Sequence, residues 1–480
     1  MGSQTHRSLG LFALVSGAIV FMAFNSKPQT LSNLYSFQSL SDGATIYAGV
    51  TLSGKTLYGA TVNGYGDEGG DTIYAINTDG SDFRVVLTDA YVEFYGGVIV
   101  SSNILYGTST GGGNSGYGMV FAVCTNGSGL GFTNLHNFSP FAPQTNTNSD
   151  GAYPYGNLIL WNNTLYGTTS QGGAAGVGVL FAINTDGLGF TNLHSFNGRD
   201  GSYPRAALIA LGDILYGTTE EGGSNGLGTV FAMNTDGTGF TNLYSFSSAS
   251  GAPYYTNSDG ASPRCTLIFS GNRLYGTAYE GGAGGNGTVF AINIDGTGFT
   301  NLHSFAGPFH WPPFGTTINL DGALPYGALV VSGNSLYGTT TEGGYAGAGT
   351  IFCLRTDGTG FTNLYISSGG TAPNYFEAGL TLSGNALYGT SVNGGTYEYG
   401  TVFSITFSPT LAITASGTNV ILTWPTNVAG FDYTGYTLQS TTNLASPSWS
   451  AVSPSPVIVN GQETVTNPIS ATQMFYRLLQ

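Results

Sequence analysis

AALIALGDILYGTTEEGGSNGLGTVFAMNTDGTGFTNLYSF, residues 206–246, is the stretch whose reading decides the fold. It holds four strand-like runs: Ala206–Leu211, Ile214–Thr218, Thr229–Asn234 and Phe240–Phe246. We name them a, b, c and d. Gly212-Asp213 links a to b at hairpin length. Asp236-Gly237 supplies the positive φ that a tight c–d turn needs. The unit therefore reads as a four-stranded antiparallel meander. Its strands do not alternate cleanly, since Leu208-Ile209-Ala210-Leu211 and Val230-Phe231-Ala232-Met233 are apolar on both faces. Short strands of this kind are buried on both sides. Small sheets packed face to face around an axis satisfy that demand, because each is covered by two neighbours.

The unit recurs along the chain. Leu-Tyr-Gly followed by Thr or Ala has its tyrosine at Tyr58, Tyr106, Tyr166, Tyr216, Tyr275, Tyr337 and Tyr388, and such a period marks a repeat architecture. The ends of the array distinguish a ring from an open stack. A lone d strand, Leu31–Phe37, precedes the first copy, and the last copy stops after its c strand, Thr401–Thr406. The N-terminal strand is thus expected to complete the last blade. Closure also protects edges that would otherwise pair with other chains, so a monomer is expected. The predicted fold is all-β: a seven-bladed β-propeller over residues 31–407, closed by the N-terminal strand. The glycine after each tyrosine is read as allowing close approach of a neighbouring sheet.

LYGTT, the Gly-Gly pairs, GTVFAINTDGTGFTNLHSF and DG-x-x-P together resemble the Gloeo/Verruco tandem repeat of choice-of-anchor tandem repeat proteins. The resemblance spans roughly residues 31–407 and implies an exported, propeller-like protein. It implies no activity at any residue. After Phe407 the repeat ends, and residues 408–480 resemble a small fibronectin-type-III-like β-sandwich, with Trp424 as its core tryptophan and Tyr476 across from it.

Composition narrows the function. The 480 residues include 77 Gly but only 10 Lys and Arg together, and the net charge is −15. Such a chain lacks the basic patch that nucleic acid requires. Residues 1–27 pair His6 and Arg7 with an apolar run from Leu9 to Phe24, the pattern of a signal peptide or N-terminal anchor. No other apolar run is long enough to span a membrane, so a secreted or cell-surface protein is expected. Cys124, Cys265 and Cys353 share neither framing nor metal-ligand spacing, and read as small buried hydrophobes.

No catalytic set is evident. His136, His194 and His303 occupy the d-strand position that holds Tyr35, Tyr244 and Tyr365 in other copies, an exchange that points to packing or hydrogen bonding rather than acid–base work. Carboxylates form two series. Asp42, Asp150, Asp200, Asp259 and Asp321 stand before Gly in the d–a link, where Asp is first of all a turn former. Glu221, Glu280 and Glu342 lie in the b–c link, where Asn, Gln or Gly replace them in other copies. Both links fall on one face of the ring. There Glu221, Glu280, Glu342, Asp200, Asp259 and Asp321, with Trp311 of the longest d–a link, make the expected ligand-binding surface. The expected partner is an extracellular glycan or protein. No cofactor is expected, although clustered carboxylates leave room for calcium. The Asn-Thr-Asp-Gly turns resemble calcium loops but lack a terminal bidentate Glu. The alternative is a secreted polysaccharide hydrolase or lyase using carboxylates such as Glu280 and Glu342, which requires two carboxyls about 5–9.5 Å apart across a groove.

Overall fold

The computed structural model describes residues 13–15, 18–20, 29–62, 70–125, 131–250, 256–307, 319–428, 430–443, 447–468 and 474–479. Of the N-terminal targeting segment read from sequence, only Ala13–Val15 and Ala18–Val20 are described, as an antiparallel pair; the remainder lies outside the described residues. Among the described residues no helix is long and apolar enough to cross a membrane.

Seven four-stranded antiparallel sheets follow one another in chain order. The first comprises Thr51–Ser53, Thr56–Thr61, Asp71–Asn77 and Arg84–Asp89. The fourth comprises Ile209–Leu211, Ile214–Thr219, Thr229–Asn234 and Thr241–Ser245. Strand a is shorter than its apolar run suggests, because Tyr203 just upstream is left-handed (φ 55°) and the chain joins the ladder only at Ile209.

The seventh sheet settles closure. Thr381–Ser383, Ala386–Ser391 and Thr401–Phe407 are completed by Gln29–Ser36. The N-terminal strand pairs Leu31 with Ile405 and Tyr35 with Val402, with a register shift between Asn33 and Tyr35. Every other c–d pair carries the same shift, for example at Val230/Phe231. The borrowed strand therefore reproduces the blade in detail, bulge included.

Between blades lie apolar cores, each built from two neighbouring sheets. Phe37, Ile46, Leu57, Tyr74, Tyr388 and Val402 join blade 7 to blade 1, and Tyr216, Val230, Leu274, Phe290 and Ile292 join blades 4 and 5. Strand c is buried on both faces, with Val230, Phe231 and Met233 at most 1% exposed. The threonine of the repeated motif adds a hydrogen bond to the next blade. Thr108, Thr168, Thr218, Thr339 and Thr390 donate to the carbonyls of Gly156, Ala206, Cys265, Ala378 and Ala48 at 2.9–3.1 Å. The last of these crosses the closure. The motif glycine has a different cause from the one expected. A Cβ on Gly217 would meet the Phe231 ring of its own blade at 2.5 Å, and the two residues are cross-strand partners. The crowding comes from the same sheet, not from its neighbour.

Residues after Phe407 form a small β-sandwich. One sheet holds Ala412–Ser416, Asn419–Pro425, Gln462–Pro468 and Val457–Val459; the other holds Ser450–Ala451, Thr437–Thr441 and Phe475–Leu479. Trp424, Leu438, Val465, Tyr476 and Leu478 fill the space between them. The sandwich is seated on the propeller. Phe431 stacks on Phe407 at 4.4 Å and reaches Tyr337 at 5.7 Å, and Ser332 Oγ donates to the Gly430 carbonyl at 3.0 Å. Gly430 is left-handed there, and a Cβ would strike the Ser332 carbonyl. The end of the repeats is therefore not a break in packing.

Candidate functional site

The d–a aspartates are held by the strand that precedes them. Asp42 and Asp259 accept the hydroxyls of Tyr35 (2.6 Å) and Tyr244 (2.7 Å). Asp150, Asp200 and Asp321 pair with Nε2 of His136, His194 and His303 at 3.1–3.2 Å. Each carboxylate also receives backbone N–H groups, such as Asn197 N on Asp200 and Ser247 N on Asp259. His and Tyr exchange at this position because both can donate to the same carboxylate. Their rings stack on the phenylalanine that leads into the next blade's d strand: His194 on Phe240 and His303 on Phe361 at 3.9 Å, Tyr35 on Phe83 at 3.6 Å. Burial holds the His194 pKa below its usual value even though Asp200 favours the charged form. In blade 1 the donor position holds Leu87, which has nothing to donate, and the acceptor position holds Ala90, while blade 6 keeps Tyr365 with Ala372 at the acceptor position. Asp200, Asp259 and Asp321 thus belong to a circumferential belt of turns.

The glutamates behave differently. Glu221, Glu280 and Glu342 are tied to the d–a link through their backbones, in bridges with Ser202, Ala261 and Ala323. The topology thereby brings both acidic series to one face. Glu221 and Glu280 are exposed and Glu342 is half-buried. Their carboxylates form no ion pair or hydrogen bond with another described residue. Burial raises the Glu342 pKa. Trp311 lies outside the described residues. Among the described residues no three His, Cys, Asp or Glu side chains gather as a metal-ligating group. In the c–d turns Asp236 and Asp295 cap their own turns, Asp236 Oδ1 accepting Thr238 N at 2.9 Å and its hydroxyl at 2.6 Å.

A third set is centred on the propeller axis. Strand a is innermost: the a strands of adjacent blades touch, Thr51 Oγ1 donating to Val98 O at 2.5 Å and Thr381 Oγ1 to Val50 O. Just ahead of strand a, at one register in every blade, stand Tyr47, Tyr95, Tyr155, Arg205, Arg264, Tyr326 and Glu377, all half-buried. They form a continuous circuit. Tyr47 stacks on Tyr95 at 5.2 Å, Tyr95 meets Tyr155 at 5.5 Å, and the Arg205 guanidinium lies 4.9 Å from the Tyr155 ring. Glu220, whose side chain is 9% exposed, sits between the two arginines. It binds Arg264 through Nε and Nη2 at 2.9 and 2.6 Å, and approaches Arg205 Nε at 2.6 Å without that N–H being aimed at it. Arg264 covers Tyr279 at 4.2 Å and reaches Tyr326 at 5.8 Å. Glu377 takes the remaining position, where its charge adds to burial in raising the Tyr47 pKa.

Burial raises the pKa of Glu377; Arg264 opposes the rise and Glu342 adds to it. Burial likewise pushes the Tyr95 and Tyr279 phenols up to about 12. The backbone beneath is constrained: Thr45, Tyr153, Tyr203, Ser262, Leu324 and Tyr375, each two residues before a circuit member, are all left-handed with φ 54–56°. Each is bolted at both ends. Tyr203 N–H, for example, reaches Val177 O of the previous blade at 2.9 Å, and its carbonyl accepts Glu220 N at 3.2 Å. Strain held this way in several blades is the kind that positions a site.

Sequence alone does not single out this circuit, because tyrosine at four of its positions gives way to arginine or glutamate at the other three. Its signal is a register of polar and aromatic residues directly ahead of an apolar inner strand.

The profile of the Gloeobacter/Verrucomicrobia repeat matches residues 141–257 and 254–403. The chain has no match among curated proteins. Among solved structures it is similar to an oligogalacturonate lyase in complex with manganese, with 9% identity and TM-score 0.49 over 79% of this chain and 93% of that one. It is also similar to an oligogalacturonate lyase from Vibrio parahaemolyticus, with 10% identity and TM-score 0.47 over 78% and 93%. TolB from Acinetobacter baumannii matches at 14% identity and TM-score 0.38 over 66% and 64%. These are likenesses of shape, and nothing about activity is taken from them.

Proposed function

The chain belongs to the Gloeobacter/Verrucomicrobia repeat family, and from that premise we propose that it is an exported, non-catalytic recognition propeller. Residues 1–27 act as the export signal or anchor, 31–407 as the ring, and 408–480 as a fibronectin-type-III-like module braced against blades 6 and 7. The face carrying the d–a and b–c links is the recognition surface for an extracellular glycan or protein. Glu221, Glu280 and Glu342 are available to a ligand there, Trp311 of the longest d–a link is proposed to join them, and Asp200, Asp259 and Asp321 hold the turns beneath. The observation that carries this reading is the contrast within the face: the aspartates are consumed by the fold, whereas the glutamates have no internal partner among the described residues.

A glycan array and a panel of purified surface proteins, probed with the wild type and with Glu221→Gln/Glu280→Gln/Glu342→Gln, tests it. Binding lost in the triple variant supports the face; wild-type binding that survives all three changes removes it. One observation favours the alternative hydrolase or lyase. Burial raises the pKa of both Glu342 and Glu377, the direction a general acid needs. Release of reducing ends or unsaturated products from polysaccharide, abolished by Glu342→Gln, would establish that reading instead. Calcium is tested by thermal melting. We expect no rise in Tm; a rise abolished by Glu280→Gln with Glu342→Gln would place a cation on this face.

A further inference from the structure

We propose that the axial circuit is a binding site for the end of a neutral saccharide chain, with Tyr95, Tyr155, Tyr326, Arg264 and Glu377 as its contact residues. This rests on the reading of that face as a recognition surface and moves recognition from its glutamate rim to the axis.

Three observations carry it. The first is unspent hydrogen-bonding capacity. The hydroxyls of Tyr47, Tyr95, Tyr155 and Tyr326 bond to no other described residue, and each ring is only half buried. A residue serving packing alone would be apolar here. Phenol hydroxyls both donate and accept, guanidinium N–H groups donate and carboxylates accept. A pyranose hydroxyl, itself donor and acceptor, matches such a mixed lining.

The second observation is charge. Arg205 and Arg264 are two of only 10 basic residues in the chain, yet they do not make a basic site. Glu220 lies between them, Glu377 and Glu342 stand close by, and the chain carries −15. An anionic ligand would gain little from the pair and would be repelled at long range; a neutral one is not penalised. Glu220 fixes the guanidinium of Arg264 through two of its nitrogens, so its remaining N–H donors are pre-oriented rather than ordered on binding.

The third is asymmetry. Although the blades are near copies, the circuit has a tyrosine arc from Tyr47 to Tyr155, an arginine arc, and a single carboxyl at Glu377. A symmetric plug or a bare ion would not need such an arrangement, but a chiral chain end with distinct faces would.

Isothermal titration of the full chain with maltoheptaose, cellohexaose, xylohexaose and mannohexaose, with trigalacturonate as the charged control, tests the proposal. At least one neutral oligosaccharide should bind, and trigalacturonate should bind about tenfold more weakly or not at all. Tyr95→Phe/Tyr155→Phe keeps both rings and removes both hydroxyls, so the fold should melt unchanged while affinity falls about tenfold or more. Asp236→Asn, in an exposed c–d turn that belongs to neither the rim nor the axis, should leave that affinity within about twofold. Equal affinity in the phenylalanine variant overturns the axial site. If the phenylalanine variant binds as the wild type does while Glu221→Gln/Glu280→Gln loses binding, the face remains the recognition surface and only the axial assignment falls. If a surface protein or charged glycan binds through the rim while no neutral oligosaccharide binds, the axial site falls and the recognition reading stands. If no probe of any kind binds, both fall.

Discussion

The outer belt and the axial circuit are built from equivalent positions of the same repeat, yet they have opposite character. In the belt, five blades place a His or Tyr donor against an aspartate, and the ring of that donor stacks on the next blade. The chemistry is nearly uniform and closed on itself. In the circuit the seven positions hold tyrosine, arginine and glutamate, and the phenol hydroxyls bond to no other described residue. Uniformity with satisfied hydrogen bonds indicates a position used by the fold. Variety with unsatisfied hydrogen bonds, at a register the backbone holds under strain, indicates a position free to serve a ligand. The comparison predicts that the belt governs stability and the circuit governs binding.

Cutting the belt at its closure should have the largest effect. Deleting residues 29–37 removes the fourth strand of blade 7, the Tyr35–Asp42 link and Phe37, which is fully buried between blades 7 and 1. Loss of one buried Phe alone costs about 3–5 kcal/mol, and the exposed edge of Thr401–Phe407 invites pairing with another chain. We expect loss of the monomer in size-exclusion chromatography and a collapse of the thermal transition. A monomer with an unchanged melting temperature would mean that the ring does not depend on its N-terminal strand.

A smaller effect should follow from opening one link. Asp259 is 3% exposed and accepts the Tyr244 hydroxyl, the Ser247 amide and the Ser247 hydroxyl. Asp259→Asn keeps the shape but removes the charge that strengthens these bonds, at a cost of about 1.5–3 kcal/mol. Urea unfolding should show it as a lower midpoint with an unchanged slope. Oligosaccharide affinity should stay as it was. If Asp259→Asn weakened binding and left stability intact, the roles of belt and circuit would be reversed.

The belt and the circuit also differ in how far the sequence exposed them. The ring was legible because the apolar runs, the Asp-Gly turns and the stranded N-terminal d strand repeat with one register, and closure follows from counting strands. The two acidic series were legible for the same reason, since Asp and Glu recur at fixed distances from the motif tyrosine. Their division of labour was not, because only the structure shows that His194 reaches Asp200 while Glu221 reaches no partner among the described residues. The circuit escaped notice because Tyr47, Arg205 and Glu377 look unrelated until the inner strands bring them to one axis. The docking of the sandwich was hidden as well. It depends on Gly430 lying against Ser332 and on Phe431 stacking on Phe407, a contact with no local signature in either segment.

The smallest predicted effect uses the exchange the repeat itself makes. In blade 3 the donor is His194, and in blade 4 it is Tyr244, with the same stacking on the next phenylalanine. Burial lowers the His194 pKa despite Asp200, so the unfolded chain binds its proton more readily than the folded one. The stability tied to the neutral ring is therefore complete above the unfolded histidine value, about 6.5, and is lost as pH falls through the lower folded value. His194→Tyr puts in a donor that does not titrate in this range, while the neighbouring blade shows that its ring fits. Thermal melts between about pH 7.5 and 5 should thus show a shallower acid-side loss in the variant, with neutral-pH stability preserved. Asp150 adds a separate loss only near and below the ordinary carboxylate range. Burial opposes its charge, but His136 and Ser139 outweigh it and hold its pKa down, so that contribution survives until pH falls through the depressed value. Identical pH profiles in wild type and variant would show that the belt does not distinguish its two donors. Lower neutral-pH stability in the variant would show that each blade is tuned to the donor it carries.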